Sequence, residues 1–182
     1  LGAAQCSCSV DLLRELARRE IVRVEDWVFA EEHSIAALVP FVKFYLPRAK
    51  IAPILLDPMK EPEARRLSKA LIEAVPRDAL LVASVDFSHY LPRRQADEKD
   101  RQTLAFIRAF DAPGLFTLGD DHLDCPGALA TLLFVMRRRA ANKVHVWGHD
   151  NSGAILKDDA IPTTGYYCLG FTEKRARAPG PD

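Results

Sequence analysis

No stretch of this sequence approaches the roughly 20 consecutive apolar residues that a membrane-spanning helix needs, so it offers no candidate span. A secretory leader pattern is missing too, because Leu1 is followed by small residues and Gln5 rather than by a charged and then an apolar region. Neither sign of charge is in excess: 25 Lys and Arg balance 25 Asp and Glu. A net charge of zero gives no overall pull toward nucleic acid or an anionic membrane, and neither is expected as a partner. Arg137, Arg138 and Arg139 are the one basic run; they read as a solvated helix end or as a small basic patch. The four cysteines, at 6, 8, 125 and 168, include no C-x-x-C, and Cys6 and Cys8 stand too close together for a disulfide framework. A cytoplasmic location is therefore expected. There is no G-x-S-x-G, which leaves Ser88 without the setting of a hydrolase nucleophile, and there is no repeat or low-complexity tract.

What remains is a sequence of ordinary globular composition, long enough for one domain around one core. The body is expected at 1–173, with the Arg-, Ala- and Pro-rich stretch 174–182 as a disordered tail. The first residue is Leu rather than Met, which reads as a chain beginning inside a domain. Along the body, helix and strand patterns alternate. Ser9 is placed to cap a helix carrying Leu12, Leu13, Leu16 and Ala17. A second helix should follow Glu31–Ser34 and carry Ile35, Leu38 and Phe41, with Pro40 bending or ending it. Residues 51–56 read as a buried strand, and Pro62 opens a helix with Leu67, Leu71, Ala74 and Val75 on one face.

The clearest buried strand is 79–85, running into Asp86. A helix with Leu104, Ile107 and Phe110 should stop at Pro113-Gly114. Pro126 opens another, carrying Leu129, Leu132, Leu133 and Met136. Lys143–Trp147 and Tyr166–Phe171 read as the last two strands. This order predicts an α/β fold, a mostly parallel sheet with helices on both faces, whose site lies beyond the carboxyl ends of the strands.

That rule directs attention to Asp86-Phe87-Ser88-His89-Tyr90. A carboxylate beside an imidazole fixes the ring's tautomer, and histidine suits a general base or proton shuttle. The alternative is an ordinary strand-end turn with His89 at the surface. His33, in Glu32-His33-Ser34, is either a pocket residue or a helix-entrance residue. Cys125 directly precedes Pro126, so it should sit at a helix N-terminus, where amide dipoles stabilise a thiolate and make a soft metal ligand or redox thiol. It reads equally as a small buried hydrophobe. Cys168 reads as core. His122 lies three residues before Cys125. His145 and His149 fall on a strand and its exit, separated by roughly 13 Å of rise, too far for one metal.

In order along the chain stand Glu32-His33-Ser34-Ile35 with Pro40-Phe41, then Val82-Ala83-Ser84-Val85-Asp86-Phe87-Ser88-His89-Tyr90. Asp124-Cys125-Pro126-Gly127, Asn151-Ser152-Gly153 and Gly165-Tyr166-Tyr167 follow. This series resembles the Memo family, which includes the proteins called AmmeMemoRadiSam system protein B, and the likeness runs from about Leu1-Gly2 to Phe171. The resemblance implies a fold similar to that of the class III extradiol dioxygenases, a non-haem iron group. It also implies a metal-linked redox function with iron or copper, on a substrate it does not name. It places Cys125 as a metal ligand, Asp86 and His89 in the same pocket with His89 as acid and base, and His33 at the pocket side. The family's two other ligands are histidines from an N-terminal part that has no counterpart in this sequence. Implied partners are a radical SAM enzyme and an AMMECR1-like protein. The alternative the family offers is a non-catalytic module that binds peptides or proteins with the same pocket.

Overall fold

The structure is a computed structural model that describes residues 7–173; the expected tail at 174–182 lies outside the described residues. Helices dominate. After the two-residue strand β1 (Ser7–Cys8) come α1 (Val10–Arg18), a 3-10 turn at Trp27–Phe29, α2 (Val39–Tyr45) and the short strand β2 (Lys50–Ile51). Then follow α3 (Glu61–Ala74), α4 (Arg93–Ala109), α5 (Ala112–Leu115), α6 (Pro126–Arg138), β3 (Lys143–Asn151), α7 (Ser152–Leu156) and β4 (Gly165–Thr172). None of these helices is long and apolar enough to cross a membrane.

The core forms where α3 lies on α6. Ala64, Leu67 and Leu71 from one helix, and Leu129, Ala130 and Leu133 from the other, are all buried. Both helices carry a proline in the first turn, where the missing N–H is one the helix leaves unpaired anyway. Leu16 of α1, Ile107 of α4 and Leu115 of α5 close the same cluster. Arg139, just past α6, donates to the carbonyls of Pro76, Arg77 and Ala79 at 3.1, 3.3 and 3.2 Å. One member of the basic run thus ties the turn after α3 to the end of α6, while Arg137 and Arg138 stay exposed.

The fold is mixed α/β, with two small sheets among the described residues. β1 pairs with β2 in parallel. β3 and β4 form an antiparallel hairpin that slips register between Val146 and Gly148, a bulge that bends the bulged strand locally. The expected strand at 51–56 is laddered only at its start; Pro53 has no N–H to give, although Ile54 and Leu56 still pack on the core. Residues 79–87 keep strict alternation: odd positions turn inward and even ones outward, leaving Leu80 78% and Val82 64% exposed. This segment lacks a ladder partner among the described residues. It is an extended segment with one covered face, not the fully buried strand expected.

Three further expectations are corrected. Pro40 lies in the first turn of α2 and opens that helix rather than ending it. Pro113-Gly114 falls inside the short helix α5, which the Asp111 carboxylate caps by accepting the Gly114 N–H at 3.0 Å. α4 stops earlier, at Phe110, whose φ of 53° is left-handed and so breaks the helix. Cys168 is exposed on the outer side of β4, because the two-residue period of a strand turns it away from the core.

Candidate functional site

The site is assembled where residues 79–87 end and α6 begins. The Asp86 N–H donates to Asp124 Oδ1 at 3.1 Å, and the Asp124 N–H donates to the Asp86 carbonyl, also at 3.1 Å. This reciprocal clasp brings two carboxylates together and places Cys125, the N-cap of α6, beside them. His89 follows on the same turn, with ring Nδ1 3.1 Å from the Phe87 carbonyl. In that contact Nδ1 carries the proton, which leaves Nε2 as the acceptor. The turn continues through Tyr90, whose φ of 59° is uncommon for a bulky residue. His89 and Tyr90 meet edge to face at 4.8 Å.

The electrostatics follow from this crowding. Asp124 is pushed above the ordinary aspartate value, first by burial and then by the like charge of Asp86. Hydrogen bonds from the Asp86 and Cys125 amides and the attraction of His89 pull the other way and fall short. Burial also raises the Cys125 thiol; the Ala128 and Gly127 amides favour the thiolate but do not overcome it, and the Asp124 charge adds to the rise. The helix N-terminus therefore acts on Cys125 as expected but loses to desolvation, and the thiol is not the activated thiolate expected from its position.

The raised Asp124 carboxyl has a consequence for stability. A group with a higher folded than unfolded value stabilises the fold fully below the unfolded value, near 3.8, and loses that contribution as pH rises through the folded value. The contribution is therefore lost toward neutral and alkaline pH. Asp124→Asn keeps the acceptor for the Asp86 N–H without the charge, so the variant is expected to melt higher than the parent at pH 7. The gap should close toward pH 4, as thermal melts across that range would show; an equal gap throughout would mean Asp124 is not perturbed.

Of the residues singled out from sequence, Asp86 is joined through its backbone to Asp124, next to Cys125, and His89 attracts the Asp124 carboxylate. His33 does not join them directly. It is exposed, and its stretch is linked to the segment before the site by Ser84 Oγ, which donates to the Ser34 carbonyl at 2.8 Å. Glu32 holds that stretch by accepting from Ser34 and from the Ile35 N–H. His122 is buried and faces Lys99, with Nε2 3.1 Å from Nζ. His145 lies 2.8 Å from Thr172 Oγ1, and His149 bonds to Asp100 at 2.7 Å, so these two histidines take separate partners. Asp124 is the site residue that sequence reasoning passed over. It stands inside the quoted Asp124-Cys125-Pro126-Gly127 series, and the signal was an acidic residue at a helix entrance next to a candidate thiol.

Among the described residues, no group of three or more His, Cys, Asp and Glu side chains is arranged to hold a metal ion. Cys125 supplies one soft donor, and its thiol keeps its proton more firmly than a free cysteine. The described residues thus do not by themselves fit the iron or copper site that the resemblance implies. Chemically they fit proton handling: an imidazole that attracts the Asp124 carboxylate, which itself holds a proton above the usual range because of burial and the Asp86 charge.

A family model for Memo-like proteins matches residues 1–166. Among similar curated proteins, a MEMO1 family protein of Caldivirga maquilingensis is 30% identical over 177 residues, covering 89% of this chain and 61% of the relative. MEMO1 family proteins of Pyrobaculum arsenaticum and Sulfurisphaera tokodaii are each 30% identical as well; the matches cover 87% and 90% of this chain and 59% and 58% of the relatives. The chain thus spans about three fifths of the length of the curated relatives it matches.

Proposed function

Because the chain belongs to the Memo-like protein family, we propose that Asp86, His89, Asp124 and Cys125 line a pocket that moves protons on a bound substrate. In this reading the pocket is the acid–base side of a metal-linked redox site. The fold relation to the class III extradiol dioxygenases, with its mostly parallel sheet, belongs to the same proposal. So do the radical SAM and AMMECR1-like partners and the cytoplasmic setting. The observation that supports the reading is the clasp between Asp86 and Asp124, on the turn that continues to His89, together with the attraction between His89 and the Asp124 carboxylate. His89 Nε2 takes a proton from the substrate; the resulting imidazolium is stabilised by the Asp124 and Asp86 charges, which also hold it for return. Iron or copper, with Cys125 as one donor, would supply the redox chemistry; the described residues do not complete its ligand set.

The test is the titration of the Asp124 carboxyl, followed by carbon NMR in the parent chain and in two variants. Asp86→Asn should lower the Asp124 midpoint by removing a like charge. His89→Gln should raise it by removing an attraction. If both variants titrate as the parent does, the three groups do not share a pocket and the reading fails. Metal content after incubation with ferrous or cuprous ion, compared between parent and Cys125→Ala chains extended to the relatives' length, tests the ligand role of Cys125.

A second reading has its own support. The segment that delivers Asp86 exposes Leu80 and Val82 and, among the described residues, 79–85 has no ladder partner, the features that a peptide strand adds to in β-augmentation. In that reading the pocket anchors a bound peptide instead of transforming a substrate. Binding that persists in His89→Gln but falls in Val82→Lys would favour it.

A further inference from the structure

Asp100, in the middle of α4, is wholly buried yet lies outside the pocket. Its Oδ1 accepts the Ser88 N–H at 2.9 Å, and its Oδ2 lies 2.7 Å from His149 Nε2. Ser88 is itself buried and is the central residue of the turn that presents Asp86 and His89. Its hydroxyl donates to the Ala96 carbonyl at 3.1 Å and its carbonyl accepts the Gly165 N–H at 2.7 Å. The Phe87 N–H in turn donates to the Gly165 carbonyl at 3.2 Å. An unpaired carboxylate removed from water is heavily disfavoured; this one has a donor on each oxygen, and the two donors tie α4 to the turn and to β3.

We propose that Asp100 is a positioning residue for the candidate site, with His149 holding its second oxygen: together they fix Ser88, and through Ser88 the directions of Asp86 and His89. The proposal rests on the acid–base reading of that pocket. Three observations carry it. Both Asp100 oxygens are used, so the carboxylate cannot rotate without losing a bond. Gly165 leaves no room for a side chain on that face, since a Cβ there would overlap Asp100 Oδ2. The His149 ring is itself fixed, stacked on Tyr167 at 4.2 Å with an interplanar angle of 26°. Around His149 stand the charged groups of Asp100 beneath it and of Arg93, Asp97, Arg101 and Asp150 at the rim of a polar recess of about 320 Å³. Arg93 is held there by Asp159 at 2.9 Å, and the His149 side chain is 26% exposed to the recess. The order of contact is therefore His149, Asp100, Ser88, then the pocket.

The experiment uses the full chain labelled with nitrogen-15, as parent, Asp100→Asn, His149→Phe and His149→Gln. The readouts are the ring-nitrogen shifts of His89, which report its tautomer, and the Ser88 amide, with a thermal melt on each sample. His149→Phe keeps a ring on Tyr167 but removes the donor. It should displace the Ser88 amide by more than its line width and shift the His89 ring nitrogens, while the protein still melts cooperatively. His149→Gln, which restores a donor, should return both signals toward the parent. Asp100→Asn should shift the His89 ring as well; should it fail to fold, the His149 pair still decides. A folded His149→Phe whose His89 ring and Ser88 amide match the parent would overturn the proposal and leave Asp100 as packing. The two readings fail separately. If Asp86→Asn and His89→Gln leave Asp124 unmoved, the acid–base reading is lost, whereas shifts of Ser88 and His89 in His149→Phe would still establish the positioning role.

Discussion

Leu133→Ala is expected to lower the free energy of unfolding by about 3 kcal/mol, within the range for a large-to-small change in a packed core. Leu133 is 1% exposed and belongs to the core cluster that α6 shares with its neighbours. That cluster also holds Ala64, Leu67 and Leu71 of α3 and Leu129 and Ala130 of α6. α6 is also tied to α3 by a side chain, since the Thr131 hydroxyl donates to the Ala64 carbonyl at 3.5 Å, which limits how far the helices can collapse into the space. Domains of this size are stable by only about 5–15 kcal/mol, so one methyl-poor position removes a large share. Urea unfolding should show a lower midpoint with an unchanged slope. The loss should reach the site as well, because α6 starts at Cys125 and carries the Asp124 side of the clasp. Leu80→Ala is the control: at 78% exposure it should cost no more than about 0.5 kcal/mol. A cost at Leu133 as small as at Leu80 would mean that Leu133 is not packed in the core.

The helices were legible because their signals are local. Pro62 and Pro126 mark the first turns of α3 and α6, and apolar positions expected on α3, α4 and α6 (Leu67, Leu71, Leu104, Ile107, Leu129, Leu133) are buried, whereas the expected face of the second helix is not: α2 begins only at Val39, and Leu38 and Phe41 are exposed. The last two strands were legible for the same reason, each found a few residues longer than expected. Strand pairing was not legible, since it depends on partners far along the chain. The alternation at 79–87 is plain in the burial pattern, but alternation says nothing of what would bond to the backbone. The antiparallel hairpin and its bulge were hidden likewise. In the site, Asp86 and His89 could be found because they end an apolar run, and Cys125 because it precedes a helix-opening proline. Asp100 was missed although its signal was present. It lies on the face of α4 that also buries Ala96, Thr103, Leu104 and Ile107, and a carboxylate on an apolar stripe has to find donors. Its donors, Ser88 and His149, lie 12 and 49 residues away, so the sequence could raise the question but not answer it.

Gly165→Ala should be at least as damaging as Leu133→Ala and should act on the site directly. A methyl at 165 would overlap Asp100 Oδ2 and stand 2.7 Å from Oδ1 and from Cγ, well inside van der Waals contact. Asp100 cannot move aside cheaply, because its side chain is wholly buried and its two oxygens hold Ser88 and His149. If the carboxylate is expelled, two hydrogen bonds to a charged group are lost, each worth about 1.5–3 kcal/mol. If β4 shifts instead, the bonds between Gly165 and the Phe87–Ser88 backbone break, with an overpacking penalty of about 1–3 kcal/mol. Either route gives an expected loss of about 3 kcal/mol or more, and either displaces the turn that presents His89. Gly148→Ala, at the hairpin bulge with open space around it, should be nearly neutral by comparison. The decisive measurement is the double variant Gly165→Ala with Asp100→Ala. If the methyl acts through Asp100, adding Gly165→Ala to a chain that already lacks the carboxylate should cost little, and the two changes should be strongly non-additive in urea unfolding. Simple additivity would show that the crowding at 165 has nothing to do with Asp100, and the chain of contacts from β4 to His89 would have to be redrawn.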